Sequence, residues 1–332
     1  MKRLCIAVAA AFLCAVSPVR AADQIVIKFS HVTTAETSKG RGAERFRELA
    51  EKYTEGKVRV EVYPNSQLYK DKEEMEALQL GAVQMLAPSL AKFGPLGAKE
   101  FEVFDLPYIL PDKAALRRSL EGPVGTGLMT KLQRYGIYGL AFWDNGFKVM
   151  TANKPLRMPD DFRGVKLRIQ SSKVLDAQMR ALGALPQVLA FSEVYQAMQT
   201  GVVDGGENTP SNVYTQKMHE VQKYLTASNH GYIGYAVITN LRFWEGLPVD
   251  IRKQLERAMK EATEYANDIA QKENDEAMAA IRASGKTEII ELTPAETAAW
   301  RKALQPVYTQ VEGRIGKALI QEMVKDAQGT AN

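Results

Sequence analysis

The chain has 332 residues, of which 45% are apolar and 25% charged, as is typical of a globular protein and unlike disordered, collagen-like or fibrous chains. Its formal net charge of +4 comes from 43 basic and 39 acidic side chains, and Lys2, Arg3 and Arg20 lie in the first 21 residues. The remainder is therefore nearly neutral, which gives no electrostatic reason to expect nucleic acid or an anionic membrane as a partner.

The amino terminus has the layout of a secretory signal. Two basic residues precede an unbroken apolar run at residues 4–16, and small residues follow it. A transmembrane anchor needs roughly 20 apolar residues, and this run is shorter. We therefore expect residues 1–22 to be a signal peptide that is cleaved after Ala21 or Ala22. The mature protein should then be periplasmic, without direct membrane insertion.

Both cysteines of the chain, Cys5 and Cys14, fall inside this signal. The exported protein is thus expected to contain no disulfide, no thiolate nucleophile and no cysteine metal site. Its stability must come from its core, which a chain of about 310 residues can supply.

The first half of the mature sequence alternates strand and helix patterns. Strands are predicted at 25–30, 58–62 and 83–87, with an amphipathic helix between the first two. Asp71 followed by Glu74 is typical of a helix start, and Gly81 is a natural end for that second helix. This alternation, over about 65 residues, predicts α/β crossovers and a parallel sheet.

The second half continues the alternation until a long helical pattern replaces it. Strands are predicted at 137–143, 147–151, 165–169 and 232–239, and helices at 172–182 and 192–200. Ser192 is expected to cap the second of these helices. From Pro248 to Gly285 apolar residues follow one helix face without a breaker, so we expect one long helix that braces both halves of the protein. A T-x-x-E capping box then opens a last helix over 294–324.

Common catalytic signatures are missing from the sequence. The three histidines, His31, His219 and His230, are not spaced as metal ligands, and no metal or cofactor is expected. The glycine-rich stretch at 122–127 follows no predicted strand and lacks the lysine of a phosphate loop, so it is interpreted as the end of a helix. Neither G-x-S-x-G nor S-x-x-K with its companion motifs occurs.

Three stretches stand out by their order and spacing: 164–169 (GVKLRI), 190–195 (AFSEVY) and 203–208 (VDGGEN). The first places Arg168 at the end of a buried strand, where its guanidinium either points into a cleft or joins an internal ion pair. Together the stretches resemble the substrate-binding proteins of tripartite ATP-independent periplasmic (TRAP) transporters, and the match runs from Ile25 to the last helix. Further similarity to the DctP branch, which binds four-carbon dicarboxylates, lies at 63–68, 142–148 and 228–232.

The resemblance implies a two-lobed α/β fold of the periplasmic-binding-protein type, which closes on its ligand about a hinge. Lobe one is expected at 23–145 plus 234–274, and lobe two at 146–233 plus 275–332. The implied role is capture of malate, succinate or fumarate and delivery to the large and small membrane subunits of a sodium-driven permease. Two alternatives stay open: a ligand-binding component of a membrane sensor, or a periplasmic enzyme that acts on an organic acid.

The resemblance also implies a set of ligand contacts. Arg168 matches the family's carboxylate-binding arginine, and a guanidinium can meet a carboxylate through two parallel hydrogen bonds. Lys148 lies where sialic-acid-binding relatives carry a second arginine and is the first candidate for the other carboxylate. Lys39 and His31, after the first strand, are expected to supply further donors from lobe one.

Other residues are expected around these cations. Asn208 is expected to donate to the ligand, and Phe191 to pack on its carbon chain or in the core. Ser89 and Ser171 match positions near the ligand in relatives and are further hydrogen-bond candidates. Glu207 and His230 are expected behind the ligand contacts, where they would hold Lys166 or Arg168 in place.

Overall fold

A computed structural model of the chain describes residues 24–329, so the predicted signal peptide lies outside the described residues. Within that range eleven strands form two sheets, with helices around both. The strands are β1 Ile25–Ser30, β2 Val58–Tyr63, β3 Met85–Leu86, β4 Ile137–Phe147, β5 Val149–Ala152, β6 Lys166–Ile169, β7 Leu185–Val188, β8 Gly205–Asn208, β9 Tyr224–Ala227, β10 Tyr232–Asn240 and β11 Glu288–Glu291.

Thirteen α-helices belong to the same described range. They are α1 Ser38–Tyr53, α2 Glu74–Gln79, α3 Phe93–Leu96, α4 Lys113–Glu121, α5 Pro123–Lys131, α6 Lys173–Ala181, α7 Val194–Gln199, α8 Pro210–Thr215, α9 Leu241–Gly246, α10 Val249–Ser284, α11 Pro294–Leu304, α12 Pro306–Ile315 and α13 Lys317–Gln328. Short 3-10 helices lie at Leu90–Lys92, Lys99–Asp105, Leu132–Tyr135, Pro159–Phe162, Phe191–Glu193 and Met218–Glu220. No helix in residues 24–329 combines the length and the apolar character needed to cross a bilayer.

The first sheet has the strand order β2-β1-β3-β10-β4. β1 pairs in parallel with β2 and β3, which confirms the parallel crossovers predicted for the first half. β10 then runs antiparallel to β3 and β4. The predicted strand at 83–87 shortens to two residues, Met85–Leu86.

The second sheet has the order β11-β9-β5-β8-β6-β7. β6 is parallel to β7 and β8, whereas β5 is antiparallel to β8 and β9. Four of these strands, β7, β8, β9 and β11, were not predicted, because each has only four residues and lacks a clear alternation. We call the region around the first sheet lobe one and the region around the second sheet lobe two; the residue boundaries given above stay a prediction.

Besides the connection through α10, which leads from β10 to β11, the chain crosses between the sheets at two adjacent points. Lys148 alone separates β4 of the first sheet from β5 of the second. Residues 228–231 separate β9 of the second sheet from β10 of the first. The Lys148 amide donates to the Gly231 carbonyl at 2.9 Å, which ties the two crossings together. This pair of crossings lies where the hinge implied by the resemblance is expected.

Helix α10 confirms the predicted long helix. It has 36 residues, follows Pro248, and ends at Gly285, whose φ of 64° is left-handed and suits glycine. At 1.5 Å per residue its length is about 54 Å. It contacts α1 and β4 on the side of lobe one and α8, which follows β8, on the side of lobe two. It therefore spans both lobes.

Two helix predictions are wrong. The last helix, predicted as one over 294–324, is three helices, because Pro306 lacks an N–H and Gly316 has a φ of 104°. Its capping box is confirmed: the Thr293 side chain accepts from the Glu296 amide, and the Glu296 carboxylate accepts from Thr293. Ser192 does not cap α7, since it lies inside the preceding 3-10 helix.

We predict that Gly205→Ala destabilises the second sheet. A Cβ atom at Gly205 would lie 1.9 Å from the Thr151 carbonyl oxygen, so the pairing of β5 with β8 has to shift. We expect a loss of about 3 kcal/mol in the free energy of unfolding, measured by urea denaturation. Gly127→Ala is the control. Gly127 is exposed in α5, and a Cβ atom added there would have no neighbouring atom within 4 Å apart from the backbone of its own helix, so this change should be neutral or stabilising. Equal stability of the two variants would contradict the prediction.

Candidate functional site

A small cavity lies between the two sheets. Only about 20 Å³ of it is open to the centre of a water molecule, so the lobes are closed on each other here. The residues that line it come from both lobes: Val32, Thr33, Lys39, Asp71, Ser89, Lys92, Ile233 and Tyr235 from lobe one, and Arg168, Gln170, Phe191, Asn208 and Asn212 from lobe two.

Most of these side chains follow the carboxyl ends of parallel strands. Lys39 lies in the first turn of α1, after β1, and Ser89 and Lys92 follow β3. In lobe two, Arg168 lies near the end of β6 and Asn208 ends β8. Ligand crevices in open α/β sheets form at this edge, so the cavity occupies the expected position for the fold.

Arg168 is 2% exposed and is held by the scaffold on one edge. Its Nε and Nη2 atoms donate to the Leu189 carbonyl at 3.1 and 2.9 Å. Nη2 also lies 3.8 Å from the Asp71 carboxylate. Sequence reasoning left open whether this arginine points into a cleft or joins an internal ion pair; it lines the cavity and has an acidic neighbour as well.

A buried ion cluster sits beside Arg168. The Lys92 ammonium pairs with Asp71 and donates to Glu74 at 2.9 Å. Burial by itself lowers the pKa of Lys92, but Asp71 and Glu74 raise it overall. Burial raises the pKa of Glu74, whereas that of Asp71 is lowered because Lys92 and Arg168 outweigh its burial.

Lys39 is the third cation of the cavity. It is 1% exposed, donates to the Ala87 carbonyl at 3.2 Å, and its Nζ atom lies 3.8 Å above the centre of the Tyr235 ring. Burial, followed by repulsion from Lys92, lowers the pKa of Lys39 to about 7. This ammonium can therefore change its charge near neutral pH.

His31 lies behind Lys39 and does not line the cavity, contrary to the expectation of a direct donor. Burial, with repulsion from Lys39, lowers the pKa of His31 to about 3, so its ring is neutral. Its Nδ1 atom is 3.4 Å from the Thr33 hydroxyl, and Thr33 does line the cavity. The histidine thus touches the site only through a neighbour.

The structure differs from the expectation for Lys148. Its side chain is buried behind the cavity, where Nζ donates to Glu207 at 2.8 Å, and it is not among the lining residues. The other Glu207 oxygen is 3.0 Å from His230 Nε2, and Ser228 is 2.7 Å from His230 Nδ1. Burial by itself raises the pKa of Glu207, but Lys148 and His230 lower it to about 2. Glu207 and His230 therefore hold Lys148, not Lys166 or Arg168.

Two further expected residues lie away from the cavity. Lys166 is at the amino end of β6, where Nζ donates to the Gly201 carbonyl at 3.0 Å, two residues before the strand end that reaches the cavity. Ser171 lines a separate cavity with Glu102 and Arg314. The strand direction explains the position of Lys166, since only the Arg168 end of β6 faces the gap between the lobes; Ser171 follows that same end but lines the other cavity.

Asn208, Ser89 and Phe191 do line the cavity, as expected. The Asn208 Oδ1 atom accepts from the Thr209 amide and from Asn212 Nδ2, so Nδ2 of Asn208 is the atom that can donate to a ligand. The Ser89 hydroxyl hydrogen-bonds Gln170 across the gap between the lobes. Phe191 is 7% exposed, with its ring centre 5.9 Å from the Arg168 guanidinium carbon.

Sequence reasoning missed part of the lining. The sequence pattern predicts Asp71 only as a helix start. It predicts no site role for Lys92, Gln170, Asn212 or Tyr235. For Lys92 a signal existed, because Ser89 and Lys92 are three residues apart and share one face of a helical turn. Asp71 carried no comparable signal, since its partners Lys92 and Phe191 are distant in sequence.

Comparison with known proteins gives consistent matches. Residues 29–314 match the family model DctP, bacterial extracellular solute-binding protein, family 7. The C4-dicarboxylate-binding periplasmic protein DctP of Rhodobacter capsulatus is 66% identical over 299 residues, which cover 90% of this chain and 90% of that protein. The similarity extends over both sheets.

Solved structures agree with this result. A TRAP periplasmic solute-binding protein from Shewanella oneidensis with bound succinate has a TM-score of 0.90 and 42% identity, and the match covers 92% of this chain and 99% of that chain. A TRAP periplasmic solute-binding protein from Pseudomonas aeruginosa PAO1 with bound L-malate has a TM-score of 0.84 and 44% identity, with coverage of 86% and 99%.

We predict that Glu207→Gln is strongly destabilising, because it leaves the buried Lys148 ammonium without its ion-pair partner. The free energy of unfolding at pH 7 should fall by about 3–5 kcal/mol in urea denaturation. In the wild type, the folded-state pKa of Glu207 is about 2, below its ordinary value of 4.5. Its contribution is therefore complete above pH 4.5 and is lost as the pH falls toward 2, and the Gln variant should lack this component.

The double variant Lys148→Met/Glu207→Gln is the control. Removal of both buried charges should recover much of the stability lost by the single change. If Glu207→Gln alone is as stable as the wild type, the buried Lys148 ammonium does not require the Glu207 carboxylate, which would contradict the prediction.

Proposed function

The chain belongs to the DctP family of bacterial extracellular solute-binding proteins, family 7, and we propose that it captures a four-carbon dicarboxylate in the cavity between its lobes for a TRAP transporter. It is a substrate-binding protein and not an enzyme. The observation that carries the proposal is the group of three buried cations, Lys39, Lys92 and Arg168, on one small cavity.

Their distribution suits a ligand with two carboxylates. An anion buried without a positive partner is very costly, so each end of a diacid needs its own cation. Arg168 lies on lobe two, and the two lysines lie on lobe one. We assign Arg168 to one carboxylate and Lys39 with Lys92 to the other. Lys148, the candidate from sequence, is not assigned, because its side chain does not line the cavity.

Neutral groups complete the proposed contacts. The Asn208 amide and the Ser89 hydroxyl are placed to hydrogen-bond carboxylate or hydroxyl oxygens, and Phe191 supplies an apolar wall for the carbon chain. The succinate and L-malate bound in the related structures support malate, succinate or fumarate as the ligand. A ligand held from both sides stabilises the closed form through contacts that the open form lacks.

We further propose that the closed, loaded form is recognised by the large and small membrane subunits of a sodium-driven permease. Delivery of this kind requires the protein outside the inner membrane. The proposed location is therefore the periplasm, reached through cleavage of the signal at residues 1–22.

A ligand comparison tests this function. Succinate should raise the melting temperature by several degrees, because a ligand at a thousandfold excess over Kd adds about 4 kcal/mol of stability. Butyrate, with one carboxylate on a four-carbon chain, should raise it hardly at all. Differential scanning fluorimetry measures both shifts, and equal shifts would contradict the two-ended model.

Two variants of Arg168 test the role assigned to this residue. Arg168→Met should abolish detectable succinate binding in isothermal titration calorimetry. Arg168→Lys keeps the charge but loses the planar fork and should weaken binding more than about tenfold. Circular dichroism checks that both variants are folded. Tight binding by a folded Arg168→Met would remove this residue from its assigned role.

The charge state of Lys39 predicts a pH dependence. Its pKa is about 7 without ligand, and a carboxylate beside the ammonium raises that pKa. Binding therefore takes up a proton above pH 7, and affinity for succinate should fall as the pH rises from 7 to 9, by at most about tenfold per pH unit. Titration calorimetry at several pH values measures the effect.

The variant Lys39→Arg tests whether Lys39, and not another titrating group, causes this pH dependence. The guanidinium stays protonated over the whole range, so the variant should lose the pH dependence even if its affinity differs from the wild type. An affinity of the wild type that does not change between pH 7 and 9 would contradict the prediction.

A further inference from the structure

One carboxylate crosses the gap between the lobes. Asp71 lies on lobe one, between β2 and α2, and one of its oxygens pairs with Lys92 of the same lobe. Its other oxygen, Oδ2, accepts from the Phe191 amide of lobe two at 2.6 Å. The same atom lies 3.8 Å from Arg168 Nη2, also on lobe two. Asp71 thus joins a cation of its own lobe to two donors of the other.

These contacts depend on closure. Phe191 and Arg168 belong to lobe two, whereas Asp71 and Lys92 belong to lobe one, so the interaction exists only when the lobes meet. The side chain of Asp71 is 9% exposed, which shields the charged hydrogen bond from water. Hydrogen bonds to an ionised acceptor are stronger than neutral ones, and shielding preserves that strength.

Asp71 is ionised in this position. Its burial alone would raise its pKa, but Lys92 and Arg168 lower it below the ordinary value. A carboxylate cannot itself bind the carboxylate of a ligand, so its place in the lining calls for another role. It touches the two cations assigned to opposite ends of the ligand.

The neighbouring residue makes a similar contact without shielding. Lys70 Nζ lies 3.0 Å from Glu193 of lobe two, but the two side chains are 51% and 47% exposed. Exposed ion pairs contribute little, with a typical value of about 0–1 kcal/mol. Two adjacent residues therefore cross the same gap, one buried and one solvated.

We propose that Asp71 is the latch of the binding cleft, a positioning residue that stabilises the closed form by bonding the Phe191 amide and flanking Arg168. The assignment rests on the proposed function for its ligand, but the latch itself is a contact between the lobes. Because the contact is made only in the closed form, it slows release from that form, whereas capture by the open form is nearly unchanged.

Stopped-flow fluorescence with succinate tests this order of events. The dissociation rate constant should increase about tenfold in Asp71→Asn and more in Asp71→Ala, since Asn keeps an acceptor but loses the charge. The association rate constant should change less than about threefold, as expected for a contact made after encounter. Lys70→Met is the matched control and should release succinate within about threefold of the wild-type rate.

A distance measurement separates this proposal from the proposed function. Spin labels at Lys52→Cys on lobe one and Lys154→Cys on lobe two report lobe closure, and both natural cysteines, Cys5 and Cys14, fall within the predicted signal. Without ligand, the closed population should be smaller in Asp71→Ala than in the protein with Asp71 intact, and Lys70→Met should match the latter.

The outcomes are distinct. If the wild type does not bind succinate, the proposed function fails, and the ligand-free distances still decide on the latch. If Asp71→Ala has an unchanged closed population, or releases succinate no faster than the wild type, the latch is overturned. A melting temperature lowered in Asp71→Ala without either change would give Asp71 a structural role only.

Discussion

The binding region depends on mutual compensation among charges that are shielded from water. Lys39, Lys92 and Arg168 are each at most 8% exposed, and an isolated cation at such a depth carries a penalty of several kcal/mol. Asp71 and Glu74 offset part of this charge and raise the pKa of Lys92, so Lys92 stays protonated when no ligand is bound. When Lys39 is protonated, three cations face two carboxylates, and this small excess of positive charge suits the organic anion of the proposed function.

Strand β8 connects this cluster to the hinge. Successive residues of a strand point to opposite faces of the sheet, so Glu207 and Asn208 face different neighbours. Glu207 binds Lys148 and His230, which lie in the two crossings between the sheets, whereas Asn208 lines the cavity. One short strand therefore fixes both a ligand-facing amide and the ion pair behind it.

Sequence reasoning predicted the parts of the molecule that follow local rules. The strand end at Arg168 and the full extent of α10 follow from hydrophobic pattern and punctuation. The direction of the Lys148 side chain could not be predicted. Lys148 is the single residue between β4 and β5, where the chain passes from one sheet to the other, so the alternation of side chains along a strand does not say which way it points. The break at Pro306 is a different failure, since proline at a helix start was visible in the sequence but was not used.

The contacts of Arg168 show how the scaffold fixes a guanidinium at the wall of the cavity. A guanidinium has five N–H groups in a planar fork, and the Leu189 carbonyl takes one from Nε and one from Nη2. These bonds fix the plane of the guanidinium before any ligand arrives. They leave its Nη1 side for the proposed contact with a carboxylate. An arginine fixed in this way loses little rotamer freedom on binding, so more of the interaction energy remains as affinity. Phe191, two residues after Leu189, is also buried, and its amide donates to the Asp71 carboxylate. The proposed ligand contact and the proposed latch therefore share one short stretch of lobe two, residues 189–191.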